Sequence, residues 1–122
     1  MKTILVADDQ PLTRDVVRAV LSTNPAYQVK EAENGAEALA LAREHRPDLV
    51  LLDVQMPEMT GPEVCMRLKG SPETGDIPVL LMSGMDPQDV QGYALMACAD
   101  DFFTKPFKAQ ALLARIKELL GE

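Results

Sequence analysis

Short apolar runs alternate along this chain with segments in which apolar residues recur every three or four positions. The runs lie at Thr3–Ala7, Gln28–Glu33, Leu49–Leu52, Val79–Met82 and, less sharply, Asp101–Thr104. Within them ILVA, LVLL and VLLM show no polar alternation, which suits strands covered on both faces. Helical spacing fills the intervals. Leu12, Val16 and Val20 fall four apart, with Val17 and Leu21 widening the stripe. Ala38, Leu39, Leu41 and Ala42 follow Asn34-Gly35, and Val64 and Leu68 mark a shorter helix after Gly61. Val90, Tyr93, Ala94 and Ala97 predict a fourth helix; Leu112, Leu113, Ile116, Leu119 and Leu120 predict a fifth. Pro11 and Pro87 fit first-turn positions, where the missing N–H is not needed.

Five β/α units imply a parallel sheet with helices on both faces. They are too few for an eight-stranded barrel. The expected solution is an α/β, doubly wound, flavodoxin-like (βα)5 sheet with strand order 2-1-3-4-5. The Pro/Gly punctuation at Met56–Pro62 and Ser71–Asp76 is loop-sized, so residues 1–122 read as a single domain.

Composition narrows the function classes. Apolar residues make up 47% and charged residues 25%, the mix of a globular domain. A formal net charge of −7 argues against nucleic-acid or anionic-membrane contact by this chain, since both need a basic surface. No apolar stretch reaches membrane-spanning length and MKTILVADD lacks the layout of a cleavable signal, so a cytoplasmic location is expected. Cys65 and Cys98 show no metal-binding or redox spacing and are expected to be reduced, semi-buried thiols.

The candidate chemistry lies where the strands end. In this fold ligands bind beyond the carboxyl ends of the strands, at the switch point between the first and third. Asp8 and Asp9 follow the first run and Asp53 the third, so the topology brings three carboxylates to one crevice. Taken singly, each could cap a helix. Together they repel: two carboxylates about 4 Å apart cost roughly 4 kcal/mol at an effective dielectric near 20. Such a group must take up protons or recruit cations, and Mg²⁺ suits few carboxylates, retained waters and an incoming phosphate.

Lys105, in FFTKPF, and Ser83, in MSG, reach the same edge and add a cation and a hydroxyl. No His or Cys falls near the crevice; His45 is expected on the surface, which removes Ser-His-Asp and Cys-His schemes. Neither GxxxxGK[ST] nor GxGxxG is present. A carboxylate nucleophile attacking a phosphoryl group, with metal and lysine stabilising its oxygens, is what remains.

VADDQP, LLDVQMPEMTG, PVLLMSG and CADDFFTKPF together resemble a response-regulator receiver domain of two-component signalling, over essentially the whole chain. The resemblance implies a phosphoacceptor at Asp53, charged by a phosphohistidine of a sensor histidine kinase or histidine phosphotransfer protein. It implies Mg²⁺ held by Asp9, Asp53 and the carbonyl of Gln55, with Asp8 acting largely through water. Lys105 would pair with phosphoryl oxygens beside a cis bond to Pro106, Ser83 would bond the attached group, and Phe102 would be the switch aromatic. The readout would be the surface of the fourth helix, fifth strand and fifth helix, with Tyr93, Leu95, Met96 and Phe103 as candidate contacts for a downstream partner or fused output domain. A phosphodonor protein would dock near the first helix and the loop after Asp53, with Leu12 and Pro106 in the patch. The chain would then be no enzyme beyond its own phosphorylation and autodephosphorylation.

Departures from the family pattern are visible. Phe102 stands where tyrosine is frequent, Cys98 where glycine is common, and Gln55 and Met85 occupy variable positions beside the pocket. A phosphorylation-independent interaction module is the alternative, although Asp9, Asp53, Ser83 and Lys105 are all in place. A dehalogenase-type phosphatase would need an acid where Gln55 stands, and a flavodoxin would need a hydroxyl-rich loop where Asp8 and Asp9 stand.

Overall fold

In the computed structural model the structure describes residues 1–122, apart from the side chain of Met96. The candidate contact at Met96 therefore lies outside the described residues. Five strands, β1 (Lys2–Ala7), β2 (Tyr27–Ala32), β3 (Leu49–Asp53), β4 (Val79–Ser83) and β5 (Asp101–Thr104), alternate with α1 (Pro11–Leu21), α2 (Gly35–His45), α3 (Gly61–Lys69), α4 (Pro87–Ala97) and α5 (Ala109–Leu119). All strand pairs are parallel and the sheet order is β2-β1-β3-β4-β5, as expected.

The period of two in each strand splits the core into two layers. Leu5, Ala7, Val50, Leu52, Val79 and Leu81 face the buried residues of α2, α3 and α4. Ile4, Val6, Leu49, Leu51, Leu80 and Met82 face Val17 and Leu21 of α1 and Leu112 and Ile116 of α5. The helix starts match their chemistry: Asn34 and Thr60 accept hydrogen bonds from the amides of Glu37 and Glu63, and Pro11, Pro62 and Pro87 lie in first turns.

Several local expectations shift. β3 and β4 run one residue further than their apolar runs, so Asp53 and Ser83 are the last strand residues rather than loop residues. A backbone ladder continues past a polar side chain, pairing Asp53 with Met82 and Ser83 with Thr104. β2 begins one residue earlier than its run, at Tyr27, and ends at Ala32. Helix α3 includes Gly61, with Thr60 as its cap.

In the four-residue stripe of α1 only Val20 packs against the core. Val17 and Leu21 are buried, whereas Leu12 and Val16 are exposed, by 75% for Leu12. In α4, Val90, Ala94 and Ala97 face the core and Tyr93 turns outward. Cys98 is exposed rather than semi-buried, capping α4 with a left-handed φ of 58°. Cys65 is buried, donating to the Ala97 carbonyl, and burial pushes its thiol up to about 11. His45 is the last residue of α2 and is exposed, as expected. Among the described residues, no helix is long and apolar enough to cross a membrane.

Candidate phosphoryl and metal site

The site assembles because β1 and β3 are neighbours and end together. Ala7 pairs with Leu52, so Asp8 continues from one strand beside Asp53 at the end of the other. One carboxylate oxygen each from Asp8, Asp9 and Asp53 lies within 4.8 Å of the others. Asp8 is fully buried, Asp53 nearly so, and Asp9 is exposed. The donors are all hard oxygens on a partly open rim, a set that fits a small divalent cation.

Asp8 is held at both oxygens. The Gln10 amide donates to Oδ1 at 2.9 Å, and Lys105 Nζ donates to Oδ2 at 3.0 Å. Lys105 also reaches within 3.6 Å of Asp53 Oδ1, where the Gln55 amide makes a long contact of 3.5 Å. One lysine thus faces a cluster carrying three formal negative charges. Burial pushes the Asp53 carboxyl up to about 6, with Asp8 adding to the rise, Lys105 and the Gln55 amide opposing it, and Asp9 adding a smaller share.

The neighbouring strand ends complete the pocket. Ser83 is buried, and its Oγ accepts from the Met85 amide at 3.0 Å. The Ser83 carbonyl accepts from the Lys105 amide at 2.7 Å, which ties β4 to the lysine that follows β5. The Lys105–Pro106 peptide is cis. Phe102 is half-buried and packs with Met85 against the layer beneath α2, α3 and α4. Gln55 and Met85 line a groove of about 450 Å³ with Asp9, Pro57, Thr60 and Tyr93.

Two contributors escaped the sequence reading. Gly61 approaches the end of β3 so closely that a Cβ there would lie 2.2 Å from the Asp53 carbonyl oxygen. Arg14 donates through Nη1 to the Asp8 carbonyl at 2.6 Å. The clues available were the glycine at the start of α3 and an arginine one turn into α1, opposite Glu31 of β2 and Glu33 just beyond it.

Of the expected readout residues, Tyr93 and Leu95 are exposed. Phe103 is half-buried instead, stacked edge-on against Phe107 with ring centroids 5.7 Å apart and capped by Arg115. The α1 side carries a separate hollow of about 250 Å³ lined by Leu12, Val16, Lys105, Pro106 and Phe107.

Comparison with known proteins agrees with this fold. Residues 4–117 match the family model of the response regulator receiver domain. The chain is similar to the response regulator MprA of Mycobacterium sp. strain KMS, at 43% identity over 117 residues, 96% of this chain and 50% of that protein. It is also similar to the DNA-binding dual master transcriptional regulator RpaA of Synechocystis sp., at 39% identity over 98% of this chain and 49% of that protein. Among solved structures, the signal receiver domain of a signal transduction histidine kinase from Syntrophus aciditrophicus superposes with a TM-score of 0.90 at 39% identity, covering 99% of this chain and 91% of that one. The chain spans about half the length of the curated relatives it matches. RpaA's name, that of a DNA-binding regulator, gives no support to the expectation from net charge that nucleic-acid contact is absent.

Proposed function

Because this chain belongs to the response regulator receiver domain family, and so to two-component signalling, we propose that Asp53 takes a phosphoryl group from a phosphohistidine. The donor is a sensor histidine kinase or a histidine phosphotransfer protein, and the reaction needs Mg²⁺. The observation that carries this reading is the joint placement of Asp53 beside Lys105 and the acids Asp8 and Asp9 at one strand edge.

An ionised Asp53 oxygen attacks phosphorus, the P–N bond breaks, and its electron pair returns to the imidazole, which takes up a proton. In the metal-free chain burial raises the Asp53 carboxyl to about 6, so it is already mostly ionised at neutral pH, and a bound cation would favour the ionised form further. Asp8, Asp9, Asp53 and the Gln55 carbonyl would hold Mg²⁺, which when bound supplies Lewis-acid neutralisation of charge on the phosphoryl oxygens. Lys105, 3.6 Å from Asp53, is within reach of an oxygen of the attached group. Ser83, whose Oγ accepts from the Met85 amide, donates its hydroxyl hydrogen to that group.

These contacts bias two arrangements of Ser83 and Phe102, and the face of α4, β5 and α5 reads out the difference. A downstream protein or a fused output domain is the reader. The apolar hollow at Leu12 and Pro106 receives the phosphodonor protein. The chain works in the cytoplasm and catalyses only its own phosphorylation and autodephosphorylation.

Intact mass after incubation with acetyl phosphate tests the chemistry. A gain of one phosphoryl group that requires Mg²⁺, disappears with EDTA and is absent in Asp53→Asn is expected. Folded protein that gains no mass from acetyl phosphate or from histidine phosphotransfer proteins would favour a phosphorylation-independent interaction module instead.

A further inference from the structure

We infer that Arg14 is a positioning residue for the metal site, acting through the peptide that joins Asp8 to Asp9. The inference rests on the reading of the acid cluster as a Mg²⁺ site.

The side chain of Arg14 is only 11% exposed, unusual for a charged residue in the first half of a surface helix. Each of its three guanidinium nitrogens has a partner within 4.0 Å. Nη1 donates to the Asp8 carbonyl at 2.6 Å, Nε pairs with Glu31 at 3.3 Å, and Nη2 lies 4.0 Å from Glu33. Arg18, the next arginine along α1, also pairs with Glu31 but is mostly exposed.

The Asp8 carbonyl belongs to the peptide plane between the two acids. Fixing that plane sets the direction in which Asp9 leaves the backbone. Asp8 needs little help, since the Gln10 amide and Lys105 grip both its oxygens. Asp9 is exposed, and among the described residues no protein group bonds its carboxylate, yet one of its oxygens lies within 4.8 Å of those of Asp8 and Asp53. The backbone alone aims it, and Arg14 pins that backbone to β2. Glu31 and Glu33 offset the guanidinium charge locally, so the effect is one of placement rather than of field.

Calorimetric titration of the full chain with Mg²⁺, without phosphodonor, gives the test. Arg14→Met is expected to bind Mg²⁺ about tenfold more weakly, the usual scale for residues that orient metal ligands. Arg18→Met, which loses the Glu31 pair but not the Asp8 carbonyl, is expected to stay within about twofold of the native chain, the span of an uncoupled surface change. Arg14→Lys keeps the charge without the planar fork and is expected to be weakened as well, and it carries the test if Arg14→Met fails to fold. Native affinity in folded Arg14→Met, full rescue by Arg14→Lys, or equal weakening in Arg18→Met would each overturn the inference. A native chain that binds no Mg²⁺ would overturn the metal reading itself, an outcome distinct from the other three.

Discussion

Lys105 and Asp8, 97 positions apart in sequence, form a 3.0 Å ion pair in which the acid is wholly buried and the lysine is largely so. The pair joins β1 to the segment after β5, across the full cluster of acids.

Removing the lysine leaves a buried carboxylate without its counter-charge. Lys105→Met is expected to lose about 2–3 kcal/mol in EDTA, below the usual cost of a broken buried pair because Lys105 is partly solvated. Mg²⁺ should stabilise this variant more than the native chain, since the ion then supplies the only cation at the cluster. Urea denaturation with and without Mg²⁺ measures both effects; equal Mg²⁺ stabilisation of the two proteins would contradict the account.

The Asp53 carboxyl has a folded value of about 6 against an ordinary 3.8. Between these values the folded chain holds a proton that the unfolded chain has released, so stability falls as pH rises through this window. Above it the full cost, on the order of 3 kcal/mol, is present. Denaturation of metal-free protein from pH 4 to 8 should show Asp53→Asn gaining on the native chain as pH rises, then levelling off. Mg²⁺ affinity should fall below pH 6, where the proton competes for the same oxygen.

Gly61→Ala places a methyl 2.2 Å from the Asp53 carbonyl oxygen and 2.9 Å from its carbon. Backbone has to move, at a cost of about 2 kcal/mol or more, and Asp53 moves with it. Gly92→Ala, in α4 with nothing within 4 Å, is expected to stabilise by about 0.5–1 kcal/mol. Thermal melts of both, with phosphorylation of Asp53 by acetyl phosphate as second readout, separate a strained site from a generic glycine effect.

Cys98 holds a left-handed conformation at the end of α4, where a side chain is disfavoured. Cys98→Gly should stabilise by about 0.5–1 kcal/mol. A loss of stability in urea titration would mean that the thiol makes a contact outweighing its backbone strain.

Leu12 is exposed and faces the hollow beside Pro106. Leu12→Asp is expected to change stability by less than about 0.5 kcal/mol. It should retain phosphorylation by acetyl phosphate but slow transfer from a phosphohistidine protein at least tenfold, about 1.4 kcal/mol of docking energy. Equal rates with both donors would remove this face from the docking surface.

The fold was legible because ILVA, LVLL and VLLM are short unbroken apolar runs that suit doubly covered strands, and the intervals between them carry helical spacing. Periodicity was a poorer guide in α1, which has two adjacent apolar stripes; spacing alone does not say which meets the sheet, and the exposed one lies beside Pro106. The ends of β3 and β4 were read short because Asp53 and Ser83 are polar, while ladder pairing depends on backbone. The juxtaposition of Asp8, Asp9, Asp53 and Lys105 followed from strand order. Arg14 did not, because the partner that matters is the Asp8 main-chain carbonyl, an acceptor that every residue carries and no side chain marks. Nor did the raised Asp53 value, which depends on burial.

β5 is four residues long, lies at the sheet edge beside β4 alone, and has no fully buried residue. Local opening of that edge therefore costs less than global unfolding, and amides there should exchange sooner than those of β1 or β3. Lys105 follows β5 directly, so each such opening also withdraws the cation from Asp8. The lifetime of the assembled site is then set by the weakest strand of the sheet, and a partner that clamps β5 would prolong it without touching a carboxylate.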